Sequence, residues 1–270
     1  MNSKADNRNM EIQRTRRPAA RGNARLWQVV LAAATAALGG CTPPRHGGFI
    51  PPAPTAVVAD AEPAPSAASQ ENLATILKKM EAAYDKIKDY RTEVETVVFE
   101  KDGSFKTEKS VYTFKKPKWI RLDLVSPHPG MIMVYPDRNG KVLVRPRGLL
   151  SKLRFQLMLD DPLLDNPSRQ RVNQTDLGTL ITNIGHSVTD QRRGPVSLSE
   201  DEHSIRIQVL ADDHFREGIE TRYRFLISKE LWLPIEVDQS TANGVQVGRT
   251  IFRNLRTNIN VPVGLFEEAG

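Results

Sequence analysis

YRTEVETVVFEKDGSFKTEKSVYTFKKPKWIRLDLV, residues 90–125, is the stretch on which the fold turns. Residues 90–100 are rich in Thr and Val and predict a strand. Lys101-Asp102-Gly103-Ser104 is a hairpin turn signal, and residues 105–115 return as a second strand. Pro117 marks a corner. Beyond it Ile120, Leu122 and Leu124 alternate with Arg121 and Asp123, so residues 119–125 predict a third strand with one apolar and one wet face. Three antiparallel strands in succession begin a meander.

Downstream, Ser126-Pro127-His128-Pro129-Gly130 breaks the third strand. Residues 131–135 and 141–145 form the next pair, joined through Pro136 and an Asn139-Gly140 turn. Leu149, Leu150, Leu153, Leu157 and Met158 then fit a helical stripe, although Leu153, Phe155, Leu157 and Leu159 also alternate as in a strand. Residues 176–184 predict a short helix carrying Leu177, Leu180, Ile181 and Ile184. The loop at Arg192-Arg193-Gly194-Pro195 returns the chain to β structure. Four strands complete the chain, at 204–210, 220–227, 233–240 and 245–256, the last two joined through Asn243-Gly244. Upstream, a helix opens at Ser69, and its Leu73, Ile76, Leu77, Met80, Tyr84 and Ile87 make one apolar stripe that calls for a sheet beneath it.

The first forty residues have a different character. Arg14, Arg16, Arg17, Arg21 and Arg25 precede a largely apolar stretch of thirteen residues, 26–38, and then Gly39-Gly40-Cys41. This is the order of a charged region, an apolar region and a small-residue cleavage site in an export signal, and the segment is too short to span a bilayer. Met10 offers a second start, and Thr15-Arg16-Arg17 a faint twin-arginine pattern, with ordinary secretion as the default. Residues 42–69 are rich in Pro, Ala, Gly and Ser, without the periodicity that builds a core. Such a tether spans about 30 Å as a flexible coil. The expected organisation is therefore a signal peptide at 1–40, a tether at 41–69 and one folded domain at 70–270.

Charge and motifs exclude several function classes. Residues 1–25 carry a net +5 of the chain's +6, so residues 26–270 are nearly neutral and lack the basic surplus that a nucleic-acid binder is expected to keep in its folded part. With Cys41 as the single cysteine, no internal disulfide is available and stability must come from packing. No Gly-x-Ser-x-Gly or His-Glu-x-x-His occurs. His203 after Asp201-Glu202 and His214 after Asp212-Asp213 sit in polar stretches at strand ends, where turn residues gather, and His128 lies between two prolines. The expectation is a protein that is not an enzyme and uses no metal or other cofactor.

Two resemblances sharpen this reading. Leu38-Gly39-Gly40-Cys41 resembles a bacterial lipobox, which implies lipidation of Cys41 and a membrane lipid as its partner, facing the periplasm and leaning toward the outer membrane. Over residues 70–266 the chain resembles the LolA and LolB lipoprotein-carrier superfamily, in three places. Phe114-Lys115-Lys116-Pro117-Lys118-Trp119-Ile120-Arg121-Leu122 looks like its strand, basic residue, Pro, strand motif. Ile227-Ser228-Lys229-Glu230-Leu231-Trp232-Leu233-Pro234 is similar to its Leu-Pro hairpin, and Phe252-Arg253-Asn254-Leu255-Arg256-Thr257-Asn258 with Leu265-Phe266 to its closing strand.

The resemblance implies an α+β, mostly β fold, with a strongly curved antiparallel sheet, an incomplete barrel, whose concave face is covered by helices. It also implies an apolar cavity that accepts a lipid or lipoprotein acyl chain. The candidate lining residues are Tyr112, Phe114, Ile120, Leu122, Leu124, Met131 and Met133, with Lys116 and Arg121 as gating or headgroup residues. The family's Arg before the motif's Pro is here Lys116, which keeps the charge but lacks the guanidinium fork, and the aromatic residue three positions after that Pro is here Ile120. Lys115, Lys116, Lys118, Arg145, Arg147, Lys152 and Arg154 are either a solvated face or a contact for anionic headgroups. Two functions are compatible with these features: a carrier or receiver of lipid or lipoprotein chains, or a tethered adaptor with a filled core that meets an envelope protein partner.

Overall fold

Period-two alternation makes strands, and each hairpin signal in the sequence joins two of them. The computed structural model describes residues 67–164, 170–189 and 194–267. The signal segment, Cys41, nearly all of the tether and the Arg192-Arg193 pair lie outside them. The elements in order are α1 (Ala67–Asp85), β1 (Asp89–Phe99), β2 (Phe105–Lys115), β3 (Trp119–Ser126), β4 (Ile132–Tyr135), β5 (Val142–Arg145), β6 (Phe155–Leu157), α2 (Leu177–Thr189), β7 (Ser197–Glu200), β8 (Ser204–Asp212), β9 (Glu220–Ser228), β10 (Pro234–Thr241), β11 (Gln246–Thr257) and α3 (Gly264–Glu267).

All eleven strands form one antiparallel sheet, in the order β6-β5-β4-β3-β2-β1-β11-β10-β9-β8-β7. Pairing β1 with β11 brings the two meanders together, while β6 and β7 remain as separate edges, so the barrel is incomplete. The register carries one face across the whole sheet. Tyr90 pairs with Phe114, Phe114 with Ile120 and Ile120 with Tyr135 on one side. Thr96 pairs with Thr250, Thr250 with Val237, Val237 with Phe225 and Phe225 with Ile207 on the other. Both helices pack on this face. The main core lies there, with Met80, Tyr90, Phe114, Ile120, Leu177, Ile184, Ile207, Phe225 and Ile227 fully buried.

The opposite face alternates into water and is laced with ion pairs, Arg224 to Asp238, Arg249 to Glu236 and Arg253 to Glu95. Near β3 to β5 it carries a second, smaller core. There Ile132, Val134 and Leu143 meet Trp119 and the chain end at Val261, Leu265 and Phe266. Arg121 belongs to this face. Its guanidinium grips the Asp123 carboxylate and donates from Nη1 to the Leu265 carbonyl at 2.6 Å, which holds α3 in place.

The helical expectation for 149–158 is corrected. A single 3-10 turn, Gly148–Leu150, leads into the edge strand Phe155–Leu157, in line with the alternation also present there. One partner strand and little cover leave that alternation half exposed. Strand β7 and helix α3 have no counterpart among the sequence expectations. Each is only four residues long, too short to show a period.

Candidate functional site

Pro117 lies between two lysines, and each lysine holds one helix. Helix α1 ends with carbonyls that have no partner within the helix, and a cation is favoured there. Lys116 supplies it, its Nζ donating to the Tyr84 carbonyl at 3.0 Å and the Asp85 carbonyl at 3.1 Å. The same ammonium lies 4.7 Å from the centre of the Tyr84 ring. Lys118 reaches the other helix, its Nζ 2.6 Å from Asp176 Oδ2. Asp176 is buried immediately before α2 and caps it, accepting from the Thr179 backbone N–H at 3.1 Å. Tyr84 completes the link by donating from its hydroxyl to Asp176 Oδ1 at 3.3 Å.

The tyrosines beneath the helices are tied in as well. The Leu177 N–H donates to the Tyr90 hydroxyl at 3.0 Å, and Thr175 donates to the Tyr112 hydroxyl at 3.2 Å. Tyr90 stacks on Tyr112 and on Phe114, with centroids 5.8 and 5.0 Å apart. Burial, with Asp176 nearby, pushes the Tyr84 and Tyr112 phenols well above their ordinary range, and burial does the same to Tyr90. These phenols stay neutral and serve as hydrogen-bonding groups.

The helices cover this face unevenly. Helix α1 spans one end of the sheet, from Lys79 over the Trp232 ring at 4.2 Å to the Lys116 corner. Helix α2 runs from that corner toward the far end of β8, where Ser187 Oγ lies 2.7 Å from His214 Nε2. Between α2 and the β3–β5 side a strip of the concave face stays half-buried: Val94, Thr96, Val98, Leu122, Met133, Thr250 and Phe252. This strip, called the trough below, joins apolar side chains to the paired threonines Thr96 and Thr250. Glu108 faces the same strip, paired across β1 with Thr96, and burial pushes its carboxyl above the usual range.

The seven candidate lining residues therefore divide. Tyr112, Phe114, Ile120, Leu124 and Met131 are buried beneath the helices or neighbouring strands. Leu122 and Met133 pair with each other and face the trough. Lys116 stands at the helix hinge, whereas Arg121 is on the opposite face of the sheet from the trough. Sequence reasoning missed Val94, Phe252 and Glu108 as trough residues. Their alternation was visible, but which part of the sheet the helices leave open was not.

His214 is packed into the fold. It stacks on Tyr223, with centroids 4.6 Å apart, and burial lowers its imidazole to a pKa of about 4. Asp213 is engaged by Arg216 and Thr221. Among the described residues no group of three His, Cys, Asp or Glu is placed to hold a metal ion, and no described helix is long and apolar enough to cross a membrane.

No protein-family model matches the chain, and no curated protein matches it either. Solved structures do. An outer membrane lipoprotein-sorting protein domain from Vibrio parahaemolyticus is 9% identical, covering 72% of this chain and 95% of its own, with a TM-score of 0.39. The LolA superfamily protein NE2245 from Nitrosomonas europaea is 10% identical, covering 72% and 96%, with a TM-score of 0.34. The lipoprotein LppX from Mycobacterium tuberculosis is 8% identical, covering 72% and 100%, with a TM-score of 0.40.

Proposed function

We propose that the protein is an envelope lipoprotein that binds the acyl chain of a lipid or of another lipoprotein in the trough, without chemistry. The observation that carries this reading is the uneven cover of one continuous apolar face. Row by row the same face is sealed under α1 and α2, then left half-buried at Leu122, Met133, Val94 and Phe252. A sheet face whose function is packing alone gains stability from complete cover, since about 25 cal/mol accompanies each Å² of apolar surface removed from water. An acyl chain is the cover that fits a strip of apolar side chains with few polar groups.

In this reading Cys41 is lipidated, the tether lets the domain reach cargo near the membrane, and the protein faces the periplasm at the outer membrane in lipoprotein sorting or lipid transfer. Replacing Cys41 with Ser should then move the protein from the membrane fraction to the soluble one. Lys116 gates the trough by holding the end of α1, while Arg121 fixes the chain end behind the sheet. The competing reading, a tethered adaptor that works through an envelope protein partner, draws on the fully packed half of the core. Lipid mass spectrometry on protein purified from cells under native conditions separates them. Copurifying acyl chains support the carrier, and a lipid-free protein that also takes up no fatty-acid probe leaves the adaptor.

A further inference from the structure

The chain leaves β5 at Arg145, turns through Gly148–Leu150 and enters β6 at Phe155. Strand directions place this turn at the end of the sheet that also bears the end of β3 and the tips of the β1–β2, β8–β9 and β10–β11 hairpins. That is the end away from Lys116. Leu149 stands at the tip, 97% exposed, with Val125 at 52%, Leu153 at 45% and Phe155 at 40%. A single exposed leucine needs no explanation, but several apolar residues exposed at one end of the sheet do.

Along the chain here the charges have one sign. From Lys141 to Leu159 the chain holds five basic residues and no acid, and four of them, Arg145, Arg147, Lys152 and Arg154, flank Leu149 and Leu153. The Arg147 side chain lies across Gly130, with Nη1 toward the Pro129 carbonyl at 3.5 Å, which joins the β3–β4 loop to the same tip. Arg154 donates to the Ser151 and Leu153 carbonyls at 3.1 and 3.4 Å. Backbone carbonyls satisfy these donors without cancelling their charge.

From this geometry we infer that the Leu149 turn is a membrane-docking tip: Leu149, with Leu153 in the same turn and Val125 at the same end of the sheet, enters the interfacial layer of a bilayer while Arg147, Lys152 and Arg154 meet anionic headgroups. Apolar residues surrounded by cations match that layered chemistry, apolar below and anionic at the surface. Exposure and charge drive this docking whether or not the trough takes an acyl chain.

The test uses the full chain with Cys41→Ser and Leu149→Cys, labelled at position 149 with an environment-sensitive fluorophore, and a companion carrying Glu230→Cys in the exposed β9–β10 turn at the other end of the sheet. The probe site is read directly, so lipid contacts made by the arginine-rich N-terminus do not count. Phosphatidylethanolamine–phosphatidylglycerol vesicles should shift the 149 probe to the blue and leave the 230 probe unchanged, while phosphatidylcholine vesicles should shift neither. Adding Arg147→Gln and Lys152→Gln should raise the lipid needed for half the shift by about tenfold or more, at roughly fivefold per charge. No shift at 149, equal shifts at 149 and 230, or a shift as large with phosphatidylcholine overturns the proposal. A 149 probe that responds to protein concentration without lipid identifies a second copy of the chain as the occupant and overturns it too.

Discussion

The Lys116 ammonium lies 3.0 Å from the Tyr84 carbonyl, so a single side chain at the β2–β3 corner caps the helix that crosses the sheet. An arginine at this place would bring a rigid fork. Lysine reaches two successive carbonyls as a point charge instead.

Removing that charge should loosen the end of α1. Lys116→Met is expected to lower stability by about 1 to 2 kcal/mol, the range for a charge-assisted hydrogen bond at a helix end, and to speed both uptake and release of a fatty-acid probe. Chemical denaturation and stopped-flow fluorescence read the two effects. Lost stability with unchanged probe kinetics makes Lys116 a clamp and not a gate.

Gly178 sets the approach of the two helices. A Cβ there would lie 2.5 Å from the Tyr84 ring and hydroxyl. Helix propensity alone favours Gly178→Ala by about 1 kcal/mol. Overpacking at this contact is expected to reverse the sign and leave the variant about 1 to 3 kcal/mol less stable. Thermal melting checks it, and a stabilised variant would show that Tyr84 moves aside freely.

His214 should give the fold a pH dependence. Burial lowers its pKa from the ordinary 6.5 to about 4, so the unfolded chain takes up the proton first as pH falls. Its contribution is complete above about pH 6.5, declines as pH drops toward 4 and is lost below that, with a ceiling on the order of 3 kcal/mol. His214→Gln should flatten the stability profile between pH 4 and 6.5. A variant as acid-sensitive as the parent would assign the effect to other groups.

Much of this architecture was legible because alternation and turn chemistry are local. The Lys101–Ser104 turn and Asn243-Gly244 located their hairpins, and nine of the strands lie within a few residues of where the alternation put them. The trough was not legible, because Leu122 and Ile120 have the same pattern and differ only in what lies above them. Arg121 illustrates the limit from the other side. Its place on the polar face of β3 was readable, whereas its hold on Leu265, 144 residues away, depends on where the chain end returns.

The most direct test of acyl binding is a single variant at the open strip. Leu122 faces the trough beside Met133. In Leu122→Trp the indole should occupy the space of a chain, leaving the melting curve nearly unchanged while abolishing the fatty-acid binding expected of the unmodified protein. Destabilisation by about 1 to 3 kcal/mol, together with no probe binding by the unmodified protein, would mean that the face is filled by its own side chains and would contradict the account.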